Sequence, residues 1–172
     1  VGVHLGYGNV DLGGGLVEPE GFAGGAEAGV SLWYGRLFAG AELDITGGAL
    51  SDSVTELAAP GNPVTFGLDL EYLASVRGRL GVALTDALTL YGTAGYAWSD
   101  AKVSISIPLI SFKATETVGY EGFVYGGGLS YDVTTNAALR LEALRYDLGA
   151  DTAGNSDIQV DVIRFGADYR FR

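Results

Sequence analysis

Cysteine is absent from the 172 residues, which excludes disulfides and thiol chemistry and removes the usual ligands of a zinc site. Histidine occurs once, as His4. Basic residues are scarce: 10 Lys and Arg stand against 21 Asp and Glu, for a formal net charge of −11. Nucleic acid is therefore not an expected partner, because it calls for a basic stripe. Apolar residues make up 48% of the chain, yet no run approaches the roughly 18 that a membrane helix requires. This absence excludes helical spans only, since a transmembrane strand turns just every second residue to lipid. No leader segment is visible and the chain starts at Val1. That start fits an exported chain whose leader has been removed, or simply a trimmed one. The length suits one domain, taken as residues 1–172.

What is present is alternation with a period of two, the spacing of a strand with two unlike faces. In the terminal stretch from Val160 to Arg172, Ile163, Phe165, Ala167, Tyr169 and Phe171 share one face, while Arg164, Gly166, Asp168 and Arg170 share the other. In VGVHLGYGNV at the start, Val1, Val3, Leu5 and Tyr7 oppose Gly2, His4, Gly6 and Gly8. The same pattern predicts strands over Phe22–Tyr34, Leu37–Ile45, Phe66–Leu84, Leu88–Ser99, Tyr120–Val133 and a seventh around Leu139–Ala143. Trp33 and Phe38 sit on the wrong parity. At Leu144-Arg145 the alternation fails, and a β-bulge is expected there. Gly35-Arg36, Thr85–Ala87 and Thr134–Asn136 read as short turns. Gly13–Gly21, Thr46–Val64, Asp100–Gly119 and Gly149–Asp157 read as long connections. Long and short connections alternate, so the expected architecture is all-β: an eight-stranded antiparallel up-and-down transmembrane β-barrel.

Alternation alone fits a soluble barrel of the lipocalin type, with its apolar face inside. Two features favour lipid outside. The polar face mixes charged residues with many glycines, among them Gly6, Gly29, Gly95, Gly126 and Gly166, as a narrow interior requires. Aromatics on the apolar face gather near strand ends, where rings favour the lipid–water boundary. Tyr34, Tyr131, Tyr169 and Phe171 lie toward the short turns; Phe66, Tyr96, Trp98, Phe123 and Tyr125 lie toward the long connections. The inward set is then Glu27, Glu42, Asp44, Asp69, Glu71, Arg77, Arg79, Arg140, Glu142, Arg164, Asp168 and Arg170. Buried charges must be paired, so an ion-pair network across the lumen is expected, one that plugs it.

The segment Gly122–Gly149, GFVYGGGLSYDVTTNAALRLEALRYDLG, together with the YGTAGYAW stretch and the closing VIRFGADYRFR, resembles the small outer-membrane β-barrels of Gram-negative bacteria: the opacity-type, porin-like and OmpA-like eight-stranded barrels. In that family the terminal aromatic is usually the last residue, whereas here Arg172 follows Phe171. The resemblance implies an integral protein of the bacterial outer membrane with a structural or surface-interaction role. Termini would be periplasmic and long loops extracellular. Outer-membrane lipid and lipopolysaccharide would be its partners, with another protein on the long loops. It implies no cofactor and no catalytic set.

Two rival functions are a narrow channel for small solutes and a barrel enzyme that modifies lipid A. The enzyme would need His4, which reads better as a lumen histidine bonded to a neighbouring acid. No metal site is expected, because Asp151, Asp157, Glu18 and Glu20 match no calcium-loop spacing. One irregular segment remains, Lys102–Ala114. There Val103, Ile105 and Ile107 alternate with serines on a parity opposite to the preceding strand's apolar face, before Pro108, Leu109, Ile110 and Phe112. It is either a continuation after a bulge or a separate hairpin, and as a hairpin it is a candidate docking surface for a partner or neighbouring copy.

Overall fold

The structure, a computed structural model, describes residues 1–11, 20–48, 50–59, 62–107, 112–150 and 157–171. Side chains are described for 1–9, 21–48, 72–100, 117, 119–149 and 159–171. Among these residues the secondary structure is entirely strand: β1 (Gly2–Asp11), β2 (Glu20–Tyr34), β3 (Leu37–Gly48), β4 (Leu50–Ala59), β5 (Asn62–Ala83), β6 (Leu88–Ile107), β7 (Phe112–Asp132), β8 (Ala137–Ala150) and β9 (Asp157–Tyr169). Except for β3 and β4, each strand pairs antiparallel with its neighbours in sequence, and two further pairings, β1 with β9 and β3 with β5, close the sheet. β3 and β4 run one after the other along β5 as a single stave, so the barrel has eight staves.

Closure can be followed through the register. Partners step from Leu37 to Val82, Leu90, Leu129, Leu141, Phe165, Leu5 and Gly24, and return to the starting strand at Gly47, ten positions above Leu37. That stagger goes with strongly tilted strands, about 35–45° for such barrels. At the short-turn end, Gly35 takes φ +61°, which suits the two-residue β2–β3 hairpin. The other two short turns share one device: Thr85 Oγ1 accepts from the amide of Leu88 at 3.0 Å, and Thr134 Oγ1 from that of Ala137 at 3.0 Å.

The strands alternate as the sequence pattern demands, with the apolar set outside. Leu5, Val30, Leu80, Leu90, Leu141 and Ile163 are exposed on the outer face, while Glu27, Glu42, Arg77, Arg140, Glu142 and Arg164 are buried inside.

Three sequence expectations are corrected. No register shift occurs at Leu144-Arg145: β8 pairs regularly with β7 and β9 through both residues. The parity changes because the interior changes. Leu144, Tyr146 and Leu148 point inward and pack with Leu73, Ala97, Val124 and Val160, so the lumen toward the long connections is apolar rather than ionic. Register shifts lie elsewhere: between Leu70 and Tyr72 of β5, with Glu71 as the extra residue, and between Leu57 and Ala59 of β4. Finally, two long connections are mostly strand. Thr46–Val64 carries the end of β3, all of β4 and the start of β5, and Asp100–Gly119 carries the continuous pairing of β6 with β7 from Asp100↔Gly119 to Ile107↔Phe112. The segment with switched parity is thus a continuation without a shift between β6 and β7.

Interior glycines let the staves close. A Cβ on Gly95 would meet the Val76 carbonyl and lie 2.6 Å from the Arg77 Cα, whereas one on Gly92, on the outer face, meets nothing nearer than 3.9 Å. Gly95→Val should therefore abolish the fast-migrating unboiled band of the folded barrel on a gel, and Gly92→Val should keep it.

Candidate functional site

The interior toward the short turns is a single ionic cluster. Strand spacing delivers each member: His4 from β1, Glu27 from β2, Glu42, Asp44 and Thr46 from β3, Ser75, Arg77 and Arg79 from β5, Tyr91 from β6, Arg140 and Glu142 from β8, and Arg164 and Asp168 from β9. Some contacts join register neighbours. Glu42 faces Arg77, whose Nη2 donates to its Oε1 at 2.5 Å, and Glu142 faces Arg164, whose Nε donates to its Oε2 at 2.5 Å. Others cross the lumen. Arg140 Nη1 donates to Glu42 Oε2 at 2.6 Å, and its Nη2 reaches Glu27. Arg164 Nη1 donates to Asp44 Oδ2 at 2.9 Å. Diagonal contacts between paired strands add Arg79 Nη1 to Glu42 Oε2 at 2.6 Å and Arg140 Nη2 to Asp168 at 3.6 Å. Ser75 donates to Asp44, and the Tyr91 hydroxyl to Glu142 at 2.7 Å. Phe38, the odd residue of its strand, is buried and stacks edge-on to Tyr91 at 6.1 Å, with the Arg79 guanidinium 4.2 Å from the Tyr91 ring centroid. Arg77, Arg140 and Glu142 are at most 2% exposed.

His4 bonds Glu27 through Nδ1 at 2.6 Å and Thr46 through Nε2 at 2.8 Å. Acid, imidazole and hydroxyl stand in the order of an activated nucleophile. All three are buried, however, and the void beside them is about 20 Å³, room for one water.

Of the residues expected in the network, Glu27, Glu42, Arg77, Arg79, Arg140, Glu142, Arg164 and Asp168 come together, with Asp44 from the same inward set. Arg170 stands apart, bonded to Asp132 at 2.7 Å at the short-turn rim. The side chains of Asp69 and Glu71 lie outside the described residues. Their assignment to the interior assumes unbroken alternation down to Arg77, and the bulge at Glu71 interrupts it.

On the outer face, Tyr34, Tyr131, Tyr169 and Phe171 are exposed near the short turns. Trp98, Phe123 and Tyr125 are exposed toward the other end, and half-buried Tyr96 makes edge contacts with Trp98 and Phe123, both at 5.7 Å. Tyr7 and Phe22 add a pair at 5.2 Å that the sequence pattern left unassigned. The side chains of Phe66, Val103, Ile105, Ile107 and Phe112, and all of Leu109 and Ile110, lie outside the described residues. One outer-face feature escaped sequence reasoning: Arg145 and Asp161, register partners on β8 and β9, form a two-pronged ion pair at 2.7 and 2.6 Å. The clue was present in the two parity breaks, Arg145 and Asp161, on strands that lie side by side.

A comparison with known families matches residues 1–171 to the outer membrane protein beta-barrel domain. The chain belongs to this family of outer-membrane β-barrels. Among its relatives is the 31 kDa outer-membrane immunogenic protein of Brucella melitensis biotype 1, 27% identical over 165 residues that cover 90% of this chain and 68% of that protein. The same figures hold for the protein of that name from Brucella suis biovar 1. Among solved structures, Ail, the attachment invasion locus protein of Yersinia pestis, superposes with a TM-score of 0.59 at 18% identity, covering 99% of this chain and 95% of that one. Neisserial surface protein A gives 0.55 at 14% identity, with the same coverage. These two share the fold. As an outer-membrane barrel, the chain turns its apolar face to the bilayer and keeps its charged cluster within the barrel.

Removing one partner of a buried cluster leaves uncompensated charge, at a cost of about 3–5 kcal/mol. Arg140→Ala should lower the stability of the barrel by that amount, read as urea unfolding in lipid vesicles. Arg145→Ala, at a solvent-accessible pair, should leave the midpoint nearly unchanged.

Proposed function

We propose that this protein is a closed outer-membrane barrel that holds a sheet above the membrane and does not conduct solutes. The observation that carries this reading is the burial of Arg77, Arg140 and Glu142, with Arg140 joined across the lumen to Glu27 and Glu42 on distant staves. In a water-filled pore those charges would be solvated. The apolar layer around Leu144 and Tyr146 adds a second barrier that ions would cross only at high cost. A narrow porin-like channel is the rival. In planar bilayers the folded protein should give no stable single-channel steps; regular large conductance would overturn the closed reading.

The termini are assigned to the periplasm and the long hairpins to the cell exterior, following the short-turn and long-loop asymmetry of bacterial barrels. Lipopolysaccharide would then meet the girdle of Tyr96, Trp98, Phe123 and Tyr125, and the Tyr34, Tyr131, Tyr169 and Phe171 girdle would meet the inner leaflet. A lipid-A-modifying role for Glu27, His4 and Thr46 is disfavoured, because a water-sized void has no space for an acyl chain. Purified protein should release no fatty acid from lipid A.

The surface-interaction role is assigned to the sheet that continues past the rest of the barrel. β4, the first part of β5, the last part of β6 and the first part of β7 pair in that order. Its outer strands are β4 and Phe112–Gly119 of β7, and such edges are templates for an added strand. The hairpin of Val103, Ile105, Ile107, Leu109, Ile110 and Phe112 is the assigned docking element for a protein partner. The solved Yersinia protein has been captured with the heparin analogue sucrose octasulfate. A polyanion suits the other three long connections poorly, since residues 9–21, 46–71 and 147–160 contain no Lys or Arg, whereas the docking hairpin carries Lys102 and Lys113 and no acid between them. Deleting Ser104–Ser111 should leave the barrel folded and abolish partner or self association; association that survives the deletion would refute the assignment.

A further inference from the structure

Register sets rows of side chains across β7, β8, β9 and β1 on the outer face. One row holds Tyr125, Arg145, Asp161 and Asn9. The next row on this face, toward the short turns, holds Gly127, Ala143, Ile163 and Tyr7, and the one after it Leu129, Leu141, Phe165 and Leu5. The polar row therefore ends the apolar face on these staves. Ala143 is small, and a groove of about 510 Å³ opens over it, with Tyr7 and Tyr125 as walls, Ala143 and Ile163 as floor, and Asn9, Arg145 and Asp161 along its polar end. Sites that hold small organic molecules span roughly 300–1,000 Å³. An amphiphile seated here points its polar end away from the short turns and its tail toward them, as does a lipid of the leaflet at the long-hairpin end.

We propose that this groove binds one phosphorylated glucosamine end of lipid A, the acylated sugar of lipopolysaccharide, with its phosphate on Arg145, its ring against Asn9 and Asp161, and an acyl chain laid over Ala143 and Ile163. This occupant rests on the proposed orientation, which turns this end of the barrel to the lipopolysaccharide leaflet. Asp161 accepts from Nε and Nη2 of Arg145 at 2.7 and 2.6 Å. Nη1 and the second Nη2 N–H make the other edge of the guanidinium, and that edge matches two oxygens of a phosphate. The contact with Asp161 also holds the guanidinium in one orientation before the lipid arrives, which lowers the ordering cost of binding.

Local chemistry selects the ligand. Among the residues whose side chains are described, Arg145 is the one cation on the outer face toward the long hairpins, so a phosphate has a single place to sit. Asp161 offsets its charge, so a bare anion gains little there. The ligand must also bring N–H or O–H donors to that carboxylate. An acylated glucosamine carries hydroxyl and amide groups beside its phosphate, and the Asn9 amide, which both donates and accepts, suits either. A glycerophospholipid brings a phosphate but no rigid ring to fill the space between Tyr7 and Tyr125.

The test is native mass spectrometry of the folded full chain in detergent, with a chelator of divalent cations and equimolar lipid A, dephosphorylated lipid A and phosphatidylglycerol. Lipid A adducts should dominate. Arg145→Gln should lower them about tenfold, to the level of the dephosphorylated form, which is the loss of one charge-assisted contact. Ala143→Phe, which fills the groove without touching the ion pair, should reduce retention of both forms of lipid A. Equal retention of phosphatidylglycerol or of dephosphorylated lipid A, lipid A retention that requires a divalent cation, or retention unchanged in Arg145→Gln would overturn the proposal. Heat-modifiable gel migration is read on every variant, and only folded barrels are compared. Orientation is read separately, from labelling of a Ser104→Cys variant on intact cells by a membrane-impermeant maleimide. An unlabelled hairpin contradicts the orientation and the lipid A assignment with it, whereas a labelled hairpin on a barrel without lipid A preference contradicts the groove alone.

Discussion

Glu42 receives arginines from three different staves. Arg77 and Arg79 come from β5, Arg140 from β8, and Arg164 from β9 at 3.6 Å. The rest of the structure depends on this convergence. In a bilayer the outer face cannot carry these charges, and in a narrow eight-stave barrel the interior cannot leave them apart. The arrangement that satisfies both sides places each long cation against an acid, Arg77 and Arg79 against Glu42 of the neighbouring stave and Arg140 and Arg164 against Glu42 and Asp44 across the lumen, with glycines such as Gly128 making room. A Cβ at Gly128 would lie 2.7 Å from the Tyr91 hydroxyl and 2.8 Å from Glu142 Cγ. The cluster thus ties opposite staves together, a role that pairs between neighbouring strands cannot fill.

The interior is layered. Charged groups fill the part toward the short turns, and Leu73, Val124, Leu144, Tyr146, Leu148 and Val160 fill the part beyond. Each layer excludes ions for a different reason, the first by pairing that leaves no solvated path, the second by lack of polar partners. The exterior is layered too, with apolar residues between aromatic ends and the Arg145–Asp161 pair at one boundary. The proposed function accordingly lies on the outer surface and on the sheet that extends past the barrel rather than in the lumen.

Much of this was legible in the sequence because a strand exposes its environment every second residue. Ile163, Phe165 and Tyr169 against Arg164 and Asp168 already separate lipid face from interior, and the structure keeps that division. His4 reads as a lumen residue beside an acid and is found on Glu27. The failures have one cause: alternation reports a change of environment and a change of backbone in the same way. At Leu144-Arg145 the environment changes while the backbone runs on, and at Glu71 the backbone shifts amid an unbroken pattern. Glycine- and proline-bearing stretches such as Thr46–Val64 read as loops, although their backbone pairs across strands. Contacts across the lumen, such as Arg140 with Glu27, join residues that share no local spacing and become visible only once the barrel closes.

The cysteine-free chain allows a direct test of the two faces. Single cysteines at Leu90, Leu141 and Ile163, each carrying a nitroxide spin label in the folded, membrane-embedded protein, should be relaxed strongly by oxygen dissolved in the bilayer and weakly by a water-soluble nickel chelate. The reverse, strong relaxation by the chelate at all three positions, would place these leucines and isoleucine in water and contradict the account.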